Sequence, residues 1–282
     1  MKQRIFAILL ALALLLSGCA AQTNAPSADI LATTAPLAQV VGAVTAGSGL
    51  TVATLISEPV SCVHDYALSV DQMRAVEQAK HIVISGAGLE EFMADVLTSR
   101  AVIDASEGLA LLPGEEGESD PHTWLAPENM IAMTRTVEAA LAAEYPQHAA
   151  LFAENADIWC EKLDELQSYG EQHLADLSCR RLVTFHDGFA YFAQAFGLEI
   201  AASMEIEAGS EPSARELEEI ISLLQDQGIP AVFTEINGTA DAAELVARET
   251  GCAVFSLDTA ISSVNYLSAM TQNIDTIKEA LG

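Results

Sequence analysis

Basic side chains are scarce in this chain: 12 Lys and Arg stand against 40 Asp and Glu in 282 residues. Proteins that grip nucleic acid neutralise phosphates with Lys and Arg, so this balance disfavours a nucleic-acid partner. A negative field attracts cations, although salt screens it over about 10 Å. An acidic surface serves solubility equally well, so charge alone does not identify a metal binder. Cysteine is also sparse. Beyond Cys19 there are Cys62, Cys160, Cys179 and Cys252, without the close pairing of a structural zinc site. Outside the cytoplasm either disulfides or free buried thiols fit them. After Leu16 no apolar run is long enough to span a bilayer.

The start of the chain reads as a targeting segment rather than as part of the fold. Lys2 and Arg4 precede an unbroken apolar run from Ile5 to Leu16, followed by Ser17-Gly18-Cys19. The run fits a secretory signal and is short for a membrane helix. Leu16-Ser17-Gly18-Cys19 resembles the bacterial lipobox, which implies removal of residues 1–18 and acylation of Cys19. Ordinary secretion with cleavage nearby is the competing reading. Residues 19–28 read as a lipidated tether that holds the folded part at the cell membrane, outside the cytoplasm.

From residue 29 short apolar runs alternate with amphipathic segments. Strands are predicted at 30–33, 50–56, 81–84 and 101–104, with helices at about 36–46, 70–79 and 89–98. Ser69 and Gln72 form a capping box for the second of these helices. Strands are predicted again at 181–184, 199–202, 231–234 and 253–256, with helices at about 188–196, 214–227, 240–250 and 264–281. Ser213 and Glu216 form a second capping box, and Gly228 suits a left-handed helix end. Between the halves Phe152, Ala156, Trp159, Leu163 and Leu166 fall on one helical stripe behind Pro146. Such a helix of about 28 residues is about 42 Å long. The fold class is α/β: two lobes, each a mainly parallel sheet flanked by helices, joined by one long rigid helix. The boundaries are 29–145 for the N-terminal lobe, 146–177 for the connecting helix and 178–282 for the C-terminal lobe.

In open α/β sheets, loops beyond the carboxyl ends of strands build the binding crevice. His64, His122, His186 and Asp258 all lie in such loops, two from each half. Imidazole with carboxylate suits zinc and other first-row metals. Yet the separations of 58, 64 and 72 residues match no local metal motif. Taken singly, each histidine reads more readily as a satisfied polar residue than as a ligand. His81, His148 and His173 read as solvated or locally bonded.

Several motifs carry a family resemblance. Asp120-Pro121-His122-Thr123-Trp124, His186-Asp187-Gly188-Phe189-Ala190-Tyr191-Phe192 and Glu211-Pro212-Ser213 resemble segments of the metal-binding solute receptors of bacterial zinc and manganese ABC importers. The resemblance covers nearly the whole chain after the tether. It implies the two lobes and connecting helix, and a metal site of His64, His122, His186 and Asp258. It also implies a membrane permease as partner and a monomeric receptor, not an enzyme. Three imidazoles and one carboxylate favour Zn2+, with Mn2+ the alternative. Ligating histidines need outer acceptors, for which Asp120 and Glu235 are the candidates. The sequence departs from the family at Cys62-Val63-His64, where Asp-Pro-His is usual, and it lacks a His-rich loop before His122. The other readings are a zinc hydrolase, which Asp258 disfavours by closing the fourth position, and a surface adhesin, for which no sequence feature speaks.

Overall fold

A computed structural model describes residues 28–60, 63, 66–114, 117–204 and 212–282. Cys19, Cys62, His64 and Glu211 lie outside the described residues.

The N-terminal half contains β1 (Ile30–Ala32), α1 (Ala35–Val44), β2 (Val52–Thr54), α2 (Val70–Gln78), β3 (His81–Ile84), α3 (Ala94–Leu97) and β4 (Val102–Asp104). These strands form one parallel sheet in the order β2-β1-β3-β4. Two long helices follow, α4 (Pro127–Glu144) and α5 (Ala149–His173). The second sheet uses β5 (Arg181–Thr184), β6 (Glu199–Ser203), β7 (Ala231–Glu235) and β8 (Ala253–Leu257), also parallel, in the order β6-β5-β7-β8. Around it lie α6 (Ala190–Ala195), α7 (Ala214–Gln227), α8 (Asp241–Thr250) and the terminal α9 (Tyr266–Leu281). Both sheets therefore repeat one topology. Each has its switch point between the first and third strands of the repeat, where a crevice opens at the carboxyl ends.

The local signals act as the sequence predicts. Both capping boxes form, Ser69 with Gln72 and Ser213 with Glu216. Gly228 closes α7 at φ 64°, a left-handed position that glycine adopts without a Cβ penalty. Three details differ. The segment after β3 splits into a 3-10 turn (Glu91–Met93) and the short α3. The regular part of the connecting helix runs 25 residues and closes at His173, after a 3-10 turn at Pro146–His148. Helix α4 has no counterpart among the predicted elements. Its cues are Pro127 in the first turn and the buried stripe Met130, Met133, Thr134, Val137 and Leu141.

The stripe of α5 is buried as its spacing requires, with Phe152, Ala156, Trp159, Leu163 and Leu166 facing inward. Gly170 extends that face. A Cβ there would overlap the Phe196 ring, so only glycine allows this close approach to the second lobe. One apolar core runs from β1 and β3 through α4 and α5 to α9 and the near side of the second sheet. A smaller core, including Val183, Ile220, Leu224, Val232 and Val246, fills the sheet's other side. Among the described residues Cys160, Cys179 and Cys252 are free thiols. No described helix is long and apolar enough to cross a membrane.

Candidate metal centre

The carboxyl ends of both sheets bring polar side chains together. His122 sits just before a 3-10 turn, Thr123–Leu125, in the stretch between β4 and α4. His186 follows β5 by two residues. Both imidazoles are buried, and their Nε2 atoms stand 3.3 Å apart with the rings nearly perpendicular. Two nitrogens on a tetrahedral zinc, each about 2.05 Å from the metal, stand about 3.3 Å apart as well.

Asp120 fixes the first ring. Its Oδ1 accepts both the His122 backbone N–H at 2.9 Å and the ring Nδ1–H at 2.8 Å. With Nδ1 donating, the Nε2 lone pair faces His186. A carboxylate behind a histidine in this way sets its tautomer and strengthens it as a ligand. Asp120 is therefore the hydrogen-bond partner of the His122 ring. Its own segment is pinned from the other lobe. Tyr191 Oη donates to the Asp120 carbonyl at 3.0 Å and accepts the Leu112 N–H at 2.9 Å.

Gly188 makes room for the pair. A Cβ there would lie 2.8 Å from His186 Nε2 and 3.1 Å from His122 Cδ2. The first is closer than a side chain tolerates, and the second requires the His122 ring to give by a few tenths of an ångström.

Glu235 ends β7 beneath this site and is buried. Burial pushes its carboxyl up to about 7, opposed by a hydrogen bond from Thr259 and the nearby His122, and reinforced by the charge of Asp258. Its hydrogen-bond donor is the Thr259 hydroxyl, at 2.9 Å. Thr259 is missing from the sequence-derived candidates, and a lone Thr after a strand offered no signal.

Asp258 follows β8 and is held within its own loop. The Ala260 N–H donates to Oδ1 at 2.7 Å and the Ser263 hydroxyl to Oδ2 at 2.6 Å. Asn273 brackets its backbone, accepting the Asp258 N–H at 2.8 Å and donating to its carbonyl at 2.7 Å. A carboxylate offers about four lone-pair sites, so two remain for a metal. Among the described residues no group of three His, Cys, Asp or Glu side chains forms a complete metal cage. The structure thus brings His122, His186 and Asp120 together and ties Asp258 to its loop, while His64 lies outside the described residues. The remaining histidines have local partners: His173 Nδ1–H donates to the Tyr169 carbonyl at 2.9 Å, His81 packs edge-on against Tyr145, and the His148 ring lies against Phe152.

Two parallel α/β lobes with an imidazole pair between them, braced by a long helix, define a metal receptor of the two-lobed kind. The family model for ZnuA, the periplasmic component A of a zinc-uptake complex, matches residues 30–280, and the chain belongs to that family. It is 31% identical to the manganese-binding lipoprotein MntA of Bacillus subtilis over 249 residues, 83% of this chain and 81% of that protein. It is 28% identical to the zinc-binding lipoprotein AdcA of Streptococcus pneumoniae over 77% of this chain, but spans only 48% of that longer protein. The Zn(II)-bound ZnuA-like domain of the same AdcA has a similar fold, with a TM-score of 0.79 at 26% identity, covering 90% of this chain and 98% of that one.

Proposed function

We propose that this receptor captures one zinc ion between its lobes with His64, His122, His186 and Asp258, and hands it to the membrane permease of an ABC importer. The observation that carries the reading is the His122–His186 pair, whose Nε2 separation of 3.3 Å matches one edge of a zinc tetrahedron. Asp120 behind His122 adds the outer hydrogen bond that metal-ligating histidines use. Three imidazoles with one carboxylate favour zinc over the harder manganese, which prefers oxygen. Manganese stays the second reading, because MntA is a manganese-binding relative.

The protein works as a monomer, held to the cell membrane by acylated Cys19 and swung on the tether of residues 19–28. The lobes divide at 29–145 and 178–282, on either side of the connecting segment 146–177. With Asp258 closing the fourth position, the zinc is cargo and not a catalyst. Calorimetry with zinc tests the ligand set. Wild type takes up one equivalent. His122→Ala and His186→Ala each lose on the order of a hundredfold in affinity, the scale at which a ligand or its outer partner acts. Unchanged affinity in either variant removes that residue from the site.

A further inference from the structure

The loop that carries Asp258 belongs by sequence to the C-terminal lobe, yet its hydrogen bonds cross to the N-terminal one. Gln39 lies on α1, beside the first sheet. Its Nε2 donates to the Ser263 carbonyl at 2.9 Å, and its Oε1 accepts the Tyr266 N–H at 2.7 Å. The same amide also donates to Ala35 O, one turn back on its own helix, at 3.3 Å. Beside it the Ala35 N–H donates to the Ile261 carbonyl at 3.3 Å. One side chain therefore grips both ends of the segment 263–266. Ser263 is the residue whose hydroxyl holds Asp258 Oδ2. The chain of contacts runs from Gln39 to the Ser263 backbone, from the Ser263 hydroxyl to the Asp258 carboxylate, and from there to the metal site.

We infer that Gln39 is a positioning residue for cargo binding: it anchors the Asp258 loop to the opposite lobe and so sets where that carboxylate stands. This rests on the proposal that Asp258 is a metal ligand. The amide suits the role. It supplies a donor and an acceptor at once, which a carbonyl and an N–H facing the same helix require. A carboxylate there would keep the bond to the Tyr266 N–H and lose the one to Ser263. Gln39 touches no metal ligand, so it acts only through the loop.

The test is a mutant cycle on the full chain, read as zinc affinity by calorimetry and as zinc off-rate by transfer to a chromophoric chelator. Gln39→Ala and Gln39→Glu should each weaken zinc about tenfold, the scale of losing one or two hydrogen bonds, and release it correspondingly faster. In the Asp258→Ala background either substitution should change nothing more. Thermal unfolding of the metal-free variants checks that the fold is kept, and Gln39→Glu, which retains one of the two bonds, serves if Gln39→Ala does not fold. Wild-type affinity in both Gln39 variants overturns the inference. So does an equal loss with and without Asp258, since the effect would then be general to the lobes. If Asp258→Ala alone binds zinc like wild type, Asp258 is no ligand. That result removes the ligand assignment and the inference with it, and it is distinguishable from a failure confined to Gln39.

Discussion

The site depends on small groups that leave space or set direction, and Gly188 is the sharpest case. It coordinates nothing, yet any larger side chain would press on both His186 and His122. A Gly188→Ala substitution should cost about tenfold or more in zinc affinity, because overpacking of this size displaces side chains at a cost of roughly 1–3 kcal/mol. The metal-free protein should unfold within a few degrees of wild type, since the imidazoles are free to yield when no metal holds them. Titration and thermal melts of the same sample check this. An unaltered affinity would show that the rings are not held where the structure has them. Asp120 and His122 were legible as candidates because they sit together in one short motif. Gly188 stood in the motif around His186 without showing its purpose. Gln39 was not legible at all. Its partners across the lobes, Ser263 and Tyr266, lie more than 220 residues further along the chain, and helix periodicity says only that its position is half-buried.

At the scale of elements, the carboxyl edge of the first sheet is stitched by a buried carboxyl. Glu90 Oε1 accepts the Thr33 hydroxyl at 2.5 Å and the Ser85 N–H at 2.8 Å, and its Oε2 accepts the Gly86 N–H at 3.0 Å. One side chain thus joins the end of β1 to the end of β3. Complete burial pushes its carboxyl from 4.5 up to about 7 against these hydrogen bonds, and the charge of Asp104 adds to the rise. With the folded value above the unfolded one, the native state binds more protons between the two values. The contribution of this group is full below about 4.5 and falls as pH rises towards 7, by about 3 kcal/mol. Urea unfolding of the metal-free protein between pH 4.5 and 7.5 should show that fall, and Glu90→Gln should shrink it, leaving the share that Glu235 contributes over the same window. An identical slope in the variant would contradict the account. Helix α4 shows why part of the architecture escaped the sequence reading. Its buried stripe includes Thr134, while Ile131 and several alanines lie off it, so the periodicity is blurred where that of α5 is plain. Conversely, caps and strand runs are local chemistry, and both sheets were legible from them. The order of strands within each sheet was not, since it follows from crossovers that no short segment encodes.

As a whole molecule, the protein carries the His122–His186 pair in the gap between two lobes that the long helix α5 and the terminal helix α9 hold against each other in one continuous core. That construction suits a receptor that moves little on capture, because packed helices resist bending and the hydrogen bonds at Gln39, Trp124 and Tyr191 already span the lobes. Trp124 Nε1–H donates to the Thr259 carbonyl at 2.7 Å, and Tyr266 Oη donates to the Trp124 carbonyl at 2.7 Å. The central claim is that one zinc sits in this gap on three imidazoles and one carboxylate. X-ray absorption at the zinc edge, on protein loaded with one equivalent, tests it most directly. The account predicts four nitrogen and oxygen neighbours at about 2.0–2.1 Å with the outer-shell signature of several imidazoles. A sulfur neighbour at about 2.3 Å, which would place Cys62 on the metal, or a shell without imidazole scattering, would contradict it.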